Sequence, residues 1–207
     1  MLKVGLTGGI ACGKSTVLEM FAKHGAQTLR ADLVAHELMS PGAPLYDRIV
    51  AAFGSGILAA DGTIARPKLA AMAFPARIGE LNAIVHPAVL AYADSWMQRM
   101  EEKGANTVAI CEAALLIEAG WQHGFDRLIV VTCSLEQMIA RFARRSGLDE
   151  EAARAEVLRR MAAQMPEAEK ARLGDYVIDN SSALQQAELR VAEIWQELAT
   201  QARRQSH

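Results

Sequence analysis

Gly8-Gly9-Ile10-Ala11-Cys12-Gly13-Lys14-Ser15 satisfies G-x-x-x-x-G-K-[ST], a spacing in which the backbone N–H groups of a loop turn inward around an anion. Glycines permit that turn, Lys14 adds a full positive charge, and the Ser15 hydroxyl is placed to hold Mg²⁺. Gly9, Ile10, Ala11, Cys12, Gly13, Lys14, Ser15 and Thr16 are therefore assigned to a nucleoside triphosphate. A bare match arises by chance in glycine-rich loops, but here residues 2–7 read as a short buried strand and residues 15–23 as a helix that Gly25 can stop. A loop joining strand to helix is the context this chemistry needs.

The elements that must carry such a loop follow from the alternation of short β-rich runs with longer helical stretches, the signature of an α/β fold with a parallel sheet. Strands are expected at residues 2–7, 27–30, 107–111, 127–132 and 176–179, giving a three-layer core around a five-stranded parallel sheet. Residues 32–104, punctuated by Pro41-Gly42, Asp61-Gly62, Pro67, Pro75 and Pro87, are too long for one crossover and read as an inserted helical subdomain that receives a substrate. Ser134 and Gln137 form a capping box for a helix to about Arg145; Gly147 ends it, and Asp149 caps another that stops before Pro166. Residues 141–165 are expected as a lid. The core then comprises 1–31, 105–140 and 166–207, with a last helix from about Ala183 to Arg203.

In open parallel sheets ligands collect beyond the carboxyl ends of the strands, which singles out Asp32, Glu112, Glu118 and Asn180. Asp32 is placed to accept a proton from an attacking hydroxyl, or simply to cap the helix over 33–39. Glu112 supports Mg²⁺ through water, or is a solvated loop acid. Glu118 faces an acceptor or the solvent side of a short helix. Arg141 and Arg145 share a helix face that closes over a triphosphate, whereas Arg144, Arg154, Arg159 and Arg160 read as a solvated face paired with nearby acids. His86-Pro87 is first a helix boundary and second a substrate contact. Trp96, Trp121 and Trp195 read as packing. Cys12 lies close to Lys14 and a helix N-terminus; it is either a reactive thiolate or a small residue with its sulfur turned into the core.

Composition sets outer limits. Among 207 residues, 51% are hydrophobic and 22% charged, as in a soluble globular enzyme, and a net charge of −2 lacks the basic excess of a nucleic-acid or membrane binder. No apolar run reaches the ~20 residues of a membrane span, and no signal peptide precedes the first strand. A cytoplasmic address is expected, with Cys12, Cys111 and Cys133 as reduced thiols. A monomer is expected.

Taken in order, GLTGGIACGKST, Ala31-Asp32, Leu81-Asn82-Ala83-Ile84 with Val85-His86-Pro87, Leu115-Leu116-Ile117-Glu118, the stretch from Glu136-Gln137 to Arg141 and Arg145, Gln164, and Val177-Ile178-Asp179-Asn180 resemble the dephospho-coenzyme A kinases. The resemblance covers nearly the whole chain. It implies a P-loop NTPase core with a helical acceptor-binding domain and a lid, and ATP-dependent phosphorylation of the ribose 3′-hydroxyl of dephospho-coenzyme A. It further implies that Asp32 is the base, Arg141 a lid contact to phosphate, the Asn180 region a wall for adenine, and His86, Leu115 and Glu118 acceptor-side residues. Arg30 stands where many members carry a second acid, Glu112 where Asp is common, Ala114 where Pro is usual, and Ala11-Cys12 where Gly-Ser is usual. A nucleoside monophosphate kinase shares the core and differs in the acceptor. A GTPase would need N-K-x-D and D-x-x-G strings that the sequence lacks, and Asp32 with the arginine pair argues against a non-catalytic ATP-binding module.

Overall fold

In the first strand, β1 (Leu2–Gly8), every residue but Lys3 is buried, the pattern of a strand covered on both faces. The computed structural model describes residues 1–205 apart from Pro75 and Ala105, so the turn expected at Pro75 and the core boundary drawn at residue 105 fall outside the described residues. The remaining strands are β2 (Gln27–Arg30), β3 (Val108–Glu112), β4 (Arg127–Thr132) and β5 (Tyr176–Asp179). Their order is β2-β3-β1-β4-β5. Parallel pairing runs from Leu2↔Val108 to Leu6↔Glu112 on one side of β1 and from Val4↔Arg127 to Gly8↔Val131 on the other. β3 ends one residue later than expected, which puts Glu112 in the strand rather than in the following loop.

Helices α1 (Lys14–Lys23), α2 (Ala31–Leu38), α3 (Tyr46–Phe53), α4 (Arg66–Ala73), α5 (Ile78–Lys103), α6 (Leu135–Ser146), α7 (Glu150–Ala162), α8 (Glu167–Leu173) and α9 (Leu184–Arg204) complete the described chain with two short 3₁₀ turns. α9 buries Ala187, Val191, Ile194, Leu198 and Ala202, a three-and-four spacing that lays one stripe against the sheet and α1. Ser134 Oγ accepts from Gln137 N–H at 3.3 Å, but the other half of the capping box is not made; the Ser134 N–H donates to Ser181 Oγ at 2.9 Å instead, tying α6 to the segment after β5. Gly147, at φ 67°, ends α6, and Asp149 Oδ1 caps α7 through Ala152 N–H at 2.8 Å.

The chain divides into two compact units, Arg30–Trp96 and the remainder. The first of these is narrower than the insert expected over 32–104, because α5 continues across its boundary. Its core is Leu45, Ile49, Phe53, Ile57, Leu69 and Ala73, with Leu81, Ile84, Val85 and Ala88 packed on it. Pro87 does not open a helix. It lies inside α5, where the residues on either side of it are held by that core, so tertiary packing outweighs the missing N–H. Asp32 is likewise not a cap, since Arg30 occupies the capping position and Asp32 the first turn of α2, where its charge suits the helix dipole. In the other unit, residues 141–165 do not form a body apart: Phe142, Ala153 and Val157 are buried in the same core as the strands. α8 lacks the periodicity that marks the longer helices and was not expected; its buried residue is Lys170.

Candidate active site

The loop leaves β1 at Gly8, where a Cβ would lie 2.0 Å from the carbonyl oxygen of Val131. Only glycine fits. Ala11 holds φ 54°, the one non-glycine positive φ among the described residues, a left-handed conformation that costs an L-residue about 1–2 kcal/mol. Gly13, at φ 87°, starts α1 with no side-chain cap, so the helix presents its positive end where an anion would bind. A Cβ on Gly13 would meet Asn180 Nδ2 at 2.3 Å, and one on Gly9 would meet Glu167 Oε1 at 1.9 Å. Close neighbours thus fix both glycines, and the backbone dihedral fixes Gly13 as well. Lys14 Nζ donates to the carbonyls of Gly8 at 3.2 Å and Gly9 at 2.9 Å, which folds its charge back over the loop.

Ser15 Oγ donates to Glu112 Oε2 at 3.4 Å, and Glu112 is only 5% exposed. The solvated-loop reading of Glu112 is therefore incorrect: as the last residue of β3 it shares the sheet edge with the loop. A hydroxyl beside a buried carboxylate is a hard-oxygen pair of the kind that holds Mg²⁺ together with waters and substrate phosphates. Among the described residues no group of three or more His, Cys, Asp or Glu forms an all-protein metal cage.

Arg141 comes to the loop and Arg145 does not. Arg141 Nη2 donates to the Asn180 carbonyl at 2.8 Å, and its Nη1 lies 3.4 Å from the Cys12 carbonyl. The guanidinium of Arg145 sits over the Phe142 ring at 5.4 Å, on an exposed part of α6. Asn180, 4% exposed, donates from Nδ2 to the Cys12 carbonyl at 2.8 Å; it braces the loop from behind. Arg159 and Arg160 pair with Glu156 at 2.7 and 2.6 Å, the solvated-face role expected of them.

Cys12 is fully buried, with its Sγ donating to Glu167 Oε1 at 3.0 Å. Its hydrogen bond with Cys133, burial and the neighbouring Glu167 all push the thiol far above its ordinary value. The reactive-thiolate reading is thereby overturned. Cys133 moves the other way, lowered first by its hydrogen bond with Cys12 and then by Arg141 nearby, against burial. Glu167 was not anticipated. It opens α8, where it accepts from the Cys12 thiol and the Gly9 N–H; burial raises its pKa against the pull of Cys12, Lys170, Lys14 and Gly9. Lys170, 1% exposed, pairs with Glu118 Oε1 at 2.7 Å, and that oxygen also accepts from Met165 N–H at 3.1 Å. Glu118 thus joins α8 to the turn after β3, in which Leu115 is half-buried. An acid following proline at a helix start was the available signal for Glu167; nothing local marks Lys170.

In the other compact unit, Asp32 lies in the first turn of α2 and His86 inside α5, where burial lowers the imidazole pKa.

The family model for dephospho-CoA kinase (CoaE) matches residues 2–186. The dephospho-CoA kinase of Streptomyces avermitilis is 40% identical over 204 residues, 98% of this chain and 96% of that protein. The crystal structure of TT1252 from Thermus thermophilus superposes with a TM-score of 0.76 at 31% identity, covering 95% of this chain and 97% of that one. Shikimate kinase from Bacteroides thetaiotaomicron, 12% identical with a TM-score of 0.51 over 95% of this chain and 98% of its own, shares the fold alone. Since the match extends from the first residues of β1 into α9, it takes in the loop and every side chain that braces it, and the chain belongs to the dephospho-CoA kinase family.

Proposed function

We infer that this protein transfers the γ-phosphoryl group of ATP to the ribose 3′-hydroxyl of dephospho-coenzyme A, giving coenzyme A in the last step of its synthesis. The observation that carries the reading is the phosphate loop, braced by Asn180, Arg141 and Glu167, in a chain of this family. Phosphoryl transfer asks little covalent chemistry of a protein and much charge placement. Lys14 leaves the Gly8 and Gly9 carbonyls for the β and γ oxygens of the triphosphate. Arg141, already oriented by the Asn180 carbonyl, neutralises charge on the group in flight. Ser15 and Glu112 hold Mg²⁺, which supplies further positive charge at the phosphates when bound. Asp32 accepts the proton of the attacking hydroxyl, and His86 and Leu115 serve the acceptor. The lid role falls to the exposed side of residues 141–165, whose buried side stays in the core with Phe142, Ala153 and Val157, and Arg145 reaches phosphate only on closure. The reaction is placed in the cytoplasm.

One panel tests the reading: ATP with dephospho-coenzyme A, AMP, CMP, shikimate or water, following ADP release and the position of the new phosphate. Turnover confined to dephospho-coenzyme A, with a 3′-phosphorylated product, is expected. Faster turnover with AMP or CMP would make the protein a nucleoside monophosphate kinase.

A further inference from the structure

Within the Arg30–Trp96 unit, a cavity of about 140 Å³ is lined by His36, Met39, Ser40, Thr63, Ile64 and Arg66, among others. That is room for roughly four or five waters. Its lining carries one permanent positive charge, Arg66, and no carboxylate. Asp61, two residues before the lining Thr63, is turned to its own loop: its Oδ1 accepts from the Thr63 N–H at 3.0 Å and from Thr63 Oγ1 at 2.7 Å. Ser40 Oγ likewise donates to the His36 carbonyl at 3.2 Å.

Arg66 stands apart from the other committed arginine of this unit. Arg77 is held by Glu80, the Ala52 carbonyl and the Phe53 ring. Arg66 makes its hydrogen bonds, among the described residues, to the His36 ring alone, with Nη1 2.7 Å from Nε2. Burial first, and then the guanidinium itself, lower the His36 pKa, while Asp32 opposes them; the neutral ring accepts from Arg66 and fixes one nitrogen of the fork. A guanidinium has five donors in a planar array suited to oxyanions, and most of this one is uncommitted to protein.

Asp32 and His36 lie one turn apart on α2, on one face, with Cβ atoms about 5–6 Å from each other. In dephospho-coenzyme A the 3′-hydroxyl and the 5′-diphosphate leave the same ribose, separated by the width of the sugar. The geometry points to the cavity between His36 and Arg66 as the site that takes the diphosphate of the acceptor, with Arg66 as its anchor, while Asp32 addresses the 3′-hydroxyl one turn away. This rests on the kinase reading given above for the identity of the acceptor.

The test is a binding comparison on the ADP-saturated full-length protein. Wild type, Arg66→Ala and Arg66→Lys are titrated with dephospho-coenzyme A by calorimetry and with adenosine, which lacks the diphosphate, by chemical-shift titration. Circular dichroism controls for folding. Loss of a charge-assisted contact should weaken dephospho-coenzyme A about tenfold to a hundredfold in Arg66→Ala and leave adenosine unchanged. Arg66→Lys should recover part of the loss, since it restores charge without the fork. Equal weakening of both ligands, unchanged affinity for dephospho-coenzyme A, or a wild type that does not bind it would overturn the assignment. Wild-type binding without phosphorylation would instead sink the kinase reading and leave the cavity as a diphosphate site.

Discussion

Glu167 places a buried carboxylate against the loop expected to receive the most negatively charged part of ATP, an arrangement that works only because Gly9 N–H, the Cys12 thiol, Lys14 and Lys170 surround it. Burial leaves its folded pKa above the ordinary value, so the folded state holds this proton more tightly than the unfolded chain does. The resulting stability is complete below the unfolded pKa and is lost as pH rises through the folded one. Glu167→Gln should therefore flatten the decline of stability on the alkaline side of the ordinary carboxylate range, measured by urea unfolding at a series of pH values. An unchanged slope would show that its neighbours fully offset the burial. Lys14→Ala should fold as the wild type by circular dichroism yet lose on the order of 10²–10³ in turnover, the usual effect of removing one preorganised electrostatic contact. Asp32→Asn keeps the shape and removes the proton acceptor, so turnover should fall with little change in the ATP dissociation constant; a parallel loss of ATP affinity would assign Asp32 to the metal instead. The loop, Lys14 and Ser15 were legible because they lie consecutively in the chain. Glu167 was not, since an acid in a short polar helix looks solvated until a distant strand-end loop covers it. Arg141 and Arg145 look equivalent by spacing, and only where each guanidinium lands separates them: Arg141 on the Asn180 and Cys12 carbonyls, Arg145 over the Phe142 ring.

Elements were legible where their signals are local. Ser134, Gly147 and Asp149 cap or end α6 and α7 with their own atoms, and three strands begin and end where their composition places them. α5 is the counterexample. Pro87 is a strong local stop, yet Leu81, Ile84, Val85 and Ala88 pack on the core of their unit on both sides of it. Because Pro87 itself is exposed, Pro87→Ala would restore a backbone donor at little cost in packing. Helix propensity favours alanine by about 3 kcal/mol, against about 0.4–1 kcal/mol for the rigidity proline gives the unfolded chain. A net gain of about 2 kcal/mol in thermal or urea unfolding is expected. A loss would mean that the helix is bent to suit the proline.

For the molecule as a whole, the α/β class and the existence of an insert were read from alternation and length, while the division at Arg30 and Met97 depends on contacts no single segment displays. The same holds for Lys170, whose buried charge is matched by Glu118 across a chain separation that hides the pair from any local window. Lys170→Ala would strand that carboxylate and open a void, and should lower stability by about 3 kcal/mol in urea unfolding, with Lys170→Met less damaging because it keeps the volume. A negligible effect would show that Glu118 finds water in place of the lysine. β1, flanked by β3 and β4 and covered on both faces, is the strand from which the phosphate loop hangs. Edge strands and helix ends fray through small openings, but the amides of a central strand trade hydrogen for deuterium only when the surrounding unit comes apart. The anchor of the nucleotide site should thus be among the slowest-exchanging segments of the chain, and the grip on nucleotide should persist under mild denaturation until cooperative unfolding takes the sheet with it.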